Sequence, residues 1–187
     1  MVVPNQSIIE IGVGTGLLLE QLLKIDPQYN LTGMDHTAAM LEIAKERLGD
    51  RAKLFEADII SMSIPQQFDV AIFNGGLCAF VDTGSQCDFY THLTDDESNV
   101  LPLQNIANCL HKGGLFIINI QGVHDNHDRS LPGGIVYSQE IFESTTNKDC
   151  IEKTFYFKKD ERVLAQQRLI YRIFQGEAIE NIFNQAG

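Results

Sequence analysis

The sequence predicts an α/β fold, with a doubly wound, mostly parallel sheet and an antiparallel lid segment after the fifth strand. Three observations predict it. Over the first 120 or so residues, short apolar runs alternate with segments of helical periodicity. The runs are nearly continuous in apolar residues, as expected of parallel strands covered on both faces. From about residue 135 to 174 the pattern changes to extended segments rich in Thr, Tyr, Phe, Val and Ile.

The elements follow in order. Residues 7–11 form the first apolar run, and a glycine loop leads from it into a helix with Leu18, Leu19, Leu22 and Leu23 at helical spacing. Residues 30–34 are the next strand. Thr37 is the expected N-cap of a helix that carries Met40, Leu41, Ala44 and Leu48 on one face and closes at Gly49. Lys45 and Arg47 in its last turn suit the helix dipole. Residues 53–57 and 69–73 are the third and fourth strands. A long connection covers residues 75–99, and a helix over 103–110 is stopped by Gly113-Gly114. Residues 115–120 are the fifth strand. Beyond it, residues 154–158 and 163–174 flank the polar turn Lys159-Asp160-Glu161 as a hairpin, and residues 177–185 form an amphipathic helix with Ile179, Ile182 and Phe183 inward.

A chain of 187 residues is one domain able to bury a sizeable core. Its net charge of -11 and pI near 4.7 repel a polyphosphate backbone, and no Lys/Arg cluster offsets them, so nucleic acid is not the expected partner. No apolar run approaches the roughly 18 residues of a membrane span, and only residues 1–7 precede and begin the first strand, so neither a membrane segment nor a leader is expected. Cys78, Cys87, Cys109 and Cys150 show no metal or disulfide spacing, which fits free thiols in a cytoplasmic protein.

The strongest motif is Glu10-Ile11-Gly12-Val13-Gly14-Thr15-Gly16, between a strand and a helix. Glycines there permit a tight turn and close approach of a ligand to the backbone, and N–H groups at a helix start suit polar or anionic groups. A dinucleotide fingerprint needs a third glycine three residues after Gly14, where Leu17 stands, and the Gly-Lys-Ser/Thr of a P-loop is absent. Asp35 ends the second strand about 20 residues on, where a carboxylate can accept both ribose hydroxyl hydrogens.

An acid two residues before alternating glycines resembles motif I of class I S-adenosylmethionine-dependent methyltransferases. Leu31-Thr32-Gly33-Met34-Asp35, Glu56-Ala57-Asp58-Ile59, the fourth-strand segment Phe68-Asp69-Val70-Ala71-Ile72-Phe73-Asn74 and Leu110-His111-Lys112-Gly113-Gly114-Leu115 resemble later motifs of that family, in order. The resemblance spans residues 8 to about 120. It implies a Rossmann-like fold, with a cofactor-binding core over 1–121, an inserted lid or acceptor segment over 122–175 and a last helix over 176–187. It further implies S-adenosyl-L-methionine as cofactor. Glu10, Gly12, Gly14 and Gly16 would frame its methionine part, Asp35 would hold the ribose with His36 beside the adenine, Asp58 and Ile59 would hold the adenine edge, and Asn74 and Gly75 would lie near the sulfonium.

Methyl transfer is an in-line displacement in which the protein mainly aligns the reacting atoms, so no catalytic residue type is obligatory. His124 and His127, just past the fifth strand, are the candidate bases. Their setting, His124-Asp125-Asn126-His127-Asp128, also admits a metal reading, which the flanking strand and Pro-Gly-Gly signals disfavour, so no metal is expected. Cys78, Tyr90, His92 and Tyr137 are the candidates for lining a pocket for a small-molecule acceptor of N- or O-methylation. The segment after the fifth strand resembles the antiparallel lid of small-molecule methyltransferases, including amino-sugar and glycine-type N-methyltransferases. Two features depart from the family: no N-terminal helices precede the first strand, and no sixth and seventh strands follow Ala186-Gly187. A sheet without its usual edge favours pairing with another copy, hence the expectation of a homodimer. The competing readings are a non-catalytic S-adenosylmethionine-binding protein and, against Leu17, an NAD-dependent oxidoreductase.

Overall fold

The apolar runs of the first half pair in parallel. A computed structural model describes residues 5–145 and 147–187; residues 1–4 and 146, on which parts of the leader and lid expectations fall, lie outside the described residues. The chain divides into two compact units, residues 1–76, 100–119 and 183–187 in the first and residues 77–99 and 120–182 in the second.

In the first unit, β1 (Ser7–Ile11), β2 (Asn30–Asp35), β3 (Ala52–Glu56), β4 (Phe68–Phe73) and β7 (Leu110–Ile118) form a parallel sheet in the order β3-β2-β1-β4-β7. The order reverses direction between β1 and β4, so the crevice beyond their C-terminal ends is the topological switch point. Helices α1 (Leu17–Ile25) and α2 (Ala38–Leu48) connect the first strands. Ile8, Leu19, Leu23, Leu31, Leu48, Val70 and Ile72 are buried together, so the apolar stripe of α1 and the continuous strands form one core. At the opposite end of the strands, Ser7 ties β1 to β4 by donating through its N–H and hydroxyl to Asp69 Oδ2, each at 2.8 Å.

Several local expectations are corrected. Thr37 does occupy the N-cap of α2, yet its side chain makes no capping bond, and its N–H is instead held by Asp35. Met40 is 42% exposed while Ala44 and Leu48 are buried. It lies in the first turn of α2. The third helix, α3 (Asp96–Asn108), starts seven residues before the expected 103 and encloses Pro102, whose missing N–H tolerates the helix at the loss of one bond. Gly113-Gly114 do not stop that helix. They lie inside β7 at a shift of register against β4, where a Cβ on Gly114 would come within 2.9 Å of the His111 carbonyl oxygen.

In the second unit, seven strands pair in the order β8-β5-β6-β12-β11-β10-β9. The stretch 75–99 is not a plain connection, because it holds the hairpin β5 (Cys78–Asp82) and β6 (Cys87–Thr91). β8 (Ile120–Gln121) pairs with β5, and β9 (His127–Leu131) pairs with β10 (Ile135–Glu143). β11 (Cys150–Lys159) and β12 (Arg162–Phe174) make the expected hairpin, turning at Asp160 and Glu161, both with positive φ. The closing helix α4 runs over Glu177–Ala186. Among the described residues no helix is long and apolar enough to cross a membrane.

Gly33 couples this packing to the glycine loop. A Cβ at position 33 would sit 2.7 Å from Val13 Cγ2 and 2.9 Å from Leu54 Cδ2. Gly33→Ala is therefore expected to cost about 1–3 kcal/mol, the usual range for overpacking. Denaturant unfolding checks this; an unchanged midpoint would mean that Val13 and Leu54 make room.

Candidate functional site

The C-terminal ends of β1, β2 and β4 gather the motif residues of the first unit. Registers Ile11↔Met34 and Ile11↔Phe73 bring the loops after these strands to one edge. The loop leaves β1 with the N–H groups of Gly12 and Val13 both donating to the Met34 carbonyl, at 2.9 and 2.8 Å. Gly12, Gly14 and Gly16 all have positive φ, so a side chain at any of them would be strained. They do different work. A Cβ on Gly16 would meet Leu48 Cδ1 at 2.9 Å, so this glycine lets α1 pack on α2. A Cβ on Gly14 or Gly75 would meet nothing within 4 Å, and one on Gly12 only the Gly75 carbonyl oxygen at 3.9 Å. Bare backbone thus borders open space across the switch point.

Asp35 is buried and braces this loop. Its Oδ2 accepts from the Gly14 N–H at 2.8 Å and its Oδ1 from the Thr37 N–H at 2.9 Å. A carboxylate offers about four acceptor positions, so two remain for a ligand's hydroxyl groups. His36 is largely exposed, with Nδ1 3.6 Å from Asp35 Oδ1. Glu10, at 4% exposure, accepts from the Leu19 backbone N–H but leaves Oε2 buried without a partner among the described residues. Burial, with a smaller push from the Asp35 charge, raises its carboxyl to about 8.

The remaining candidates of this unit are more exposed. Asp58 closes its own turn by accepting from the Ile60 N–H at 2.8 Å, and Asn105 donates to the Ile59 carbonyl at 2.8 Å. Asn74 is exposed, and Gly75 donates its N–H to Asn119 Oδ1 at 2.9 Å. Asn119 was not singled out from sequence, although its backbone N–H also bonds the Phe73 carbonyl and it thereby fixes the exit of β4. Arg47 does more than suit the helix dipole: its Nε donates to the Thr15 carbonyl at 2.8 Å and secures the glycine loop.

A second cluster lies within the second unit. The T-shaped ring pair of Tyr90 and His124 has centroids 5.6 Å apart, and His92 lies over Tyr171 at 4.2 Å. His124 Nε2 is 2.7 Å from Gln121 Oε1, and its Nδ1 is engaged by Lys153 Nζ. Burial first, then the Lys153 charge, pushes the His124 imidazole down to about 4, against the opposing pull of Asp125. Tyr90 is raised by burial and by Asp88. Cys78 is pushed up to about 12 by burial, which keeps its thiol neutral. Tyr137 stacks on Phe155 at 6.2 Å, and His127 lies 5.9 Å from Tyr137. So His124, Tyr90 and His92 are gathered near Tyr171 and Lys153, while Tyr137 and His127 pack with Phe155 and Phe157. Lys153 itself was missed, since a lysine in an alternating strand reads as solvent-facing.

Comparison with known proteins adds four findings. Residues 8–114 match the family described as methyltransferase domain. A malonyl-acyl carrier protein O-methyltransferase of Priestia megaterium is 41% identical over 69 residues, 36% of this chain and 25% of that protein. An uncharacterized methyltransferase of Bacillus cereus is 31% identical over 127 residues, 67% of this chain and 52% of that protein. The chain therefore spans from a quarter to about half of the length of these relatives. The solved sugar N-methyltransferase KedS8 of Streptoalloteichus shares the fold, with a TM-score of 0.68 at 16% identity over 98% of this chain and 72% of that one.

Proposed function

Because the chain belongs to the methyltransferase domain family, we propose that it transfers a methyl group from S-adenosylmethionine to a nitrogen or oxygen of a small-molecule acceptor. The observation that carries the reading is the Glu10–Gly16 loop braced by Asp35 at the switch point, with an unsatisfied Glu10 oxygen and open glycine backbone beside it. These features fit the cofactor. Glu10 Oε2 lacks the donor that an amino acid ammonium would provide, and Asp35 retains acceptor positions for a ribose diol.

When bound, the cofactor supplies a methyl carbon activated by a cationic sulfonium. The chain's own residues bind and orient. Glu10, Gly12, Gly14 and Gly16 frame the methionine part, Asp35 holds the ribose with His36 beside the adenine, Asp58 and Ile59 hold the adenine edge, and Asn74 and Gly75 border the sulfonium. In the second unit Cys78, Tyr90, His92 and Tyr137 contact the acceptor, and His124 and His127 are the histidines that assist proton transfer, His124 through its contact with Lys153.

A small-molecule acceptor is supported by a net charge of -11 that opposes nucleic acid; the O-methyltransferase relative is named for a malonyl group on a carrier protein, and the structural neighbour for a sugar. A cytoplasmic, homodimeric enzyme completes the reading; the free state of all four cysteines supports the compartment. Calorimetric titration with S-adenosylhomocysteine, beside NAD, tests the cofactor half of this reading.

A further inference from the structure

We infer that Lys153, aimed by His124, takes the proton that the acceptor molecule loses on methylation. The inference rests on the methyltransferase reading above and adds to it the residue that moves the proton.

Lys153 is 2% exposed, in the middle of β11. Its ammonium lies 4.4 Å from the Tyr171 ring centroid and 5.5 Å from that of Tyr90. The groups facing it are His124, from the segment after β8, Tyr90 from β6 and Tyr171 from β12. Further out, Asp125 adjoins His124, Asp88 acts on Tyr90, and Tyr137 acts on Tyr171. Among the described residues no carboxylate pairs with Lys153. Contact with the Tyr90 and Tyr171 rings favours the ammonium, but burial penalises the charged form and is the larger effect. Burial accordingly lowers Lys153 to about 8.

The histidine is fixed for this task. Gln121 Oε1 accepts from His124 Nε2–H, which leaves the Nδ1 lone pair as the acceptor for an N–H of Lys153. Both ring nitrogens are then in use, so His124 is a positioning residue. A neutral Lys153 amine donates one N–H to it and keeps its own lone pair free. On β11, Lys153, Phe155 and Phe157 point to one face of the sheet. On that face Phe157 lies opposite Tyr137 and Lys153 opposite Leu169. Tyr137, Phe155, Phe157 and Leu169 line a concavity of about 550 Å³. The recess and the Lys153 amine thus lie on one face of one sheet, with Phe155 and Leu169 of the lining next to Lys153 along and across the strands.

In the step, the acceptor's N–H or O–H bond breaks and the proton binds the Lys153 lone pair, giving the ammonium. The electron pair left on nitrogen or oxygen forms the bond to the methyl carbon, and the carbon–sulfur pair stays on sulfur.

The test uses the full chain. NMR of lysine side chains, with Lys153 assigned by its loss in Lys153→Met, should give a titration midpoint near 8. Transfer of labelled methyl from S-adenosylmethionine to a panel of amino sugars and simple amino alcohols should rise with pH to a plateau above that midpoint. Lys153→Met should lose about 100-fold in kcat together with that rise. Lys153→Arg, which cannot deprotonate, should not recover it, while S-adenosylhomocysteine affinity stays at the wild-type value in both. A midpoint near 10.5, or a Lys153→Met enzyme with wild-type rate and pH profile, would overturn the inference and leave the methyltransferase reading standing. Failure of the wild type to bind S-adenosylhomocysteine would instead overturn that reading. Should no panel member be methylated, the titration decides alone.

Discussion

Asp35→Ala is expected to weaken S-adenosylhomocysteine binding about 100-fold and to lower the thermal midpoint of the unliganded protein. The two losses have one origin. The carboxylate holds the N–H groups of Gly14 and Thr37, and hydrogen bonds to a charged group are worth about 1.5–3 kcal/mol each. Removing it frees the glycine loop and also deletes the two acceptor positions proposed for the ribose. Asp35→Asn separates the contributions, since the amide oxygen can keep one backbone bond but offers fewer acceptor positions. Its stability should fall less than that of Asp35→Ala while its affinity still drops. Calorimetry and thermal unfolding on the three proteins check this. Wild-type affinity in Asp35→Ala would remove Asp35 from the site.

The second large effect concerns Glu10. Its carboxyl is raised to about 8 in the folded chain against an ordinary 4.5. The folded state therefore binds more protons than the unfolded chain between those values. The stabilisation from this group is fully present below pH 4.5 and is lost as pH rises through 8, by an amount on the order of a few kcal/mol. Glu10→Gln cannot ionise, so its stability should vary less across that window and exceed the wild type's at the alkaline end. A cofactor ammonium beside Oε2 favours the carboxylate, so binding at pH 7 should release up to about one proton. The apparent enthalpy of S-adenosylhomocysteine binding should then depend on the ionisation enthalpy of the buffer, and Glu10→Gln should abolish the dependence. A buffer-independent enthalpy in the wild type would mean that Glu10 does not face the ammonium.

Much of the first unit was legible because its determinants are local. The continuous runs in β1, β4 and β7 and the glycine loop between β1 and α1 announce themselves within a few residues. Asp35 follows from its place at a strand end. The second unit depends on pairing between distant segments. β6 is joined to β12 across some 80 residues of chain, at Tyr90↔Ile173, and β5 to β8 across some 40, at Phe80↔Ile120. The same distance hid Lys153. It is buried because Tyr90, Tyr171 and His124 close over it, and none of these is its neighbour in sequence. Asn119 and Arg47 escaped for a related reason, since each acts by bonding a loop backbone, which leaves no periodic signal. The early start of α3 was masked by Pro102, ordinarily a boundary.

The most direct measurement is calorimetric titration of the wild-type chain with S-adenosylhomocysteine and, separately, with NAD. Binding of S-adenosylhomocysteine with a Kd on the order of micromolar, and no heat with NAD, is the expected result. Binding of NAD alone, or of neither ligand, would contradict the assignment of the Glu10–Gly16 crevice to S-adenosylmethionine.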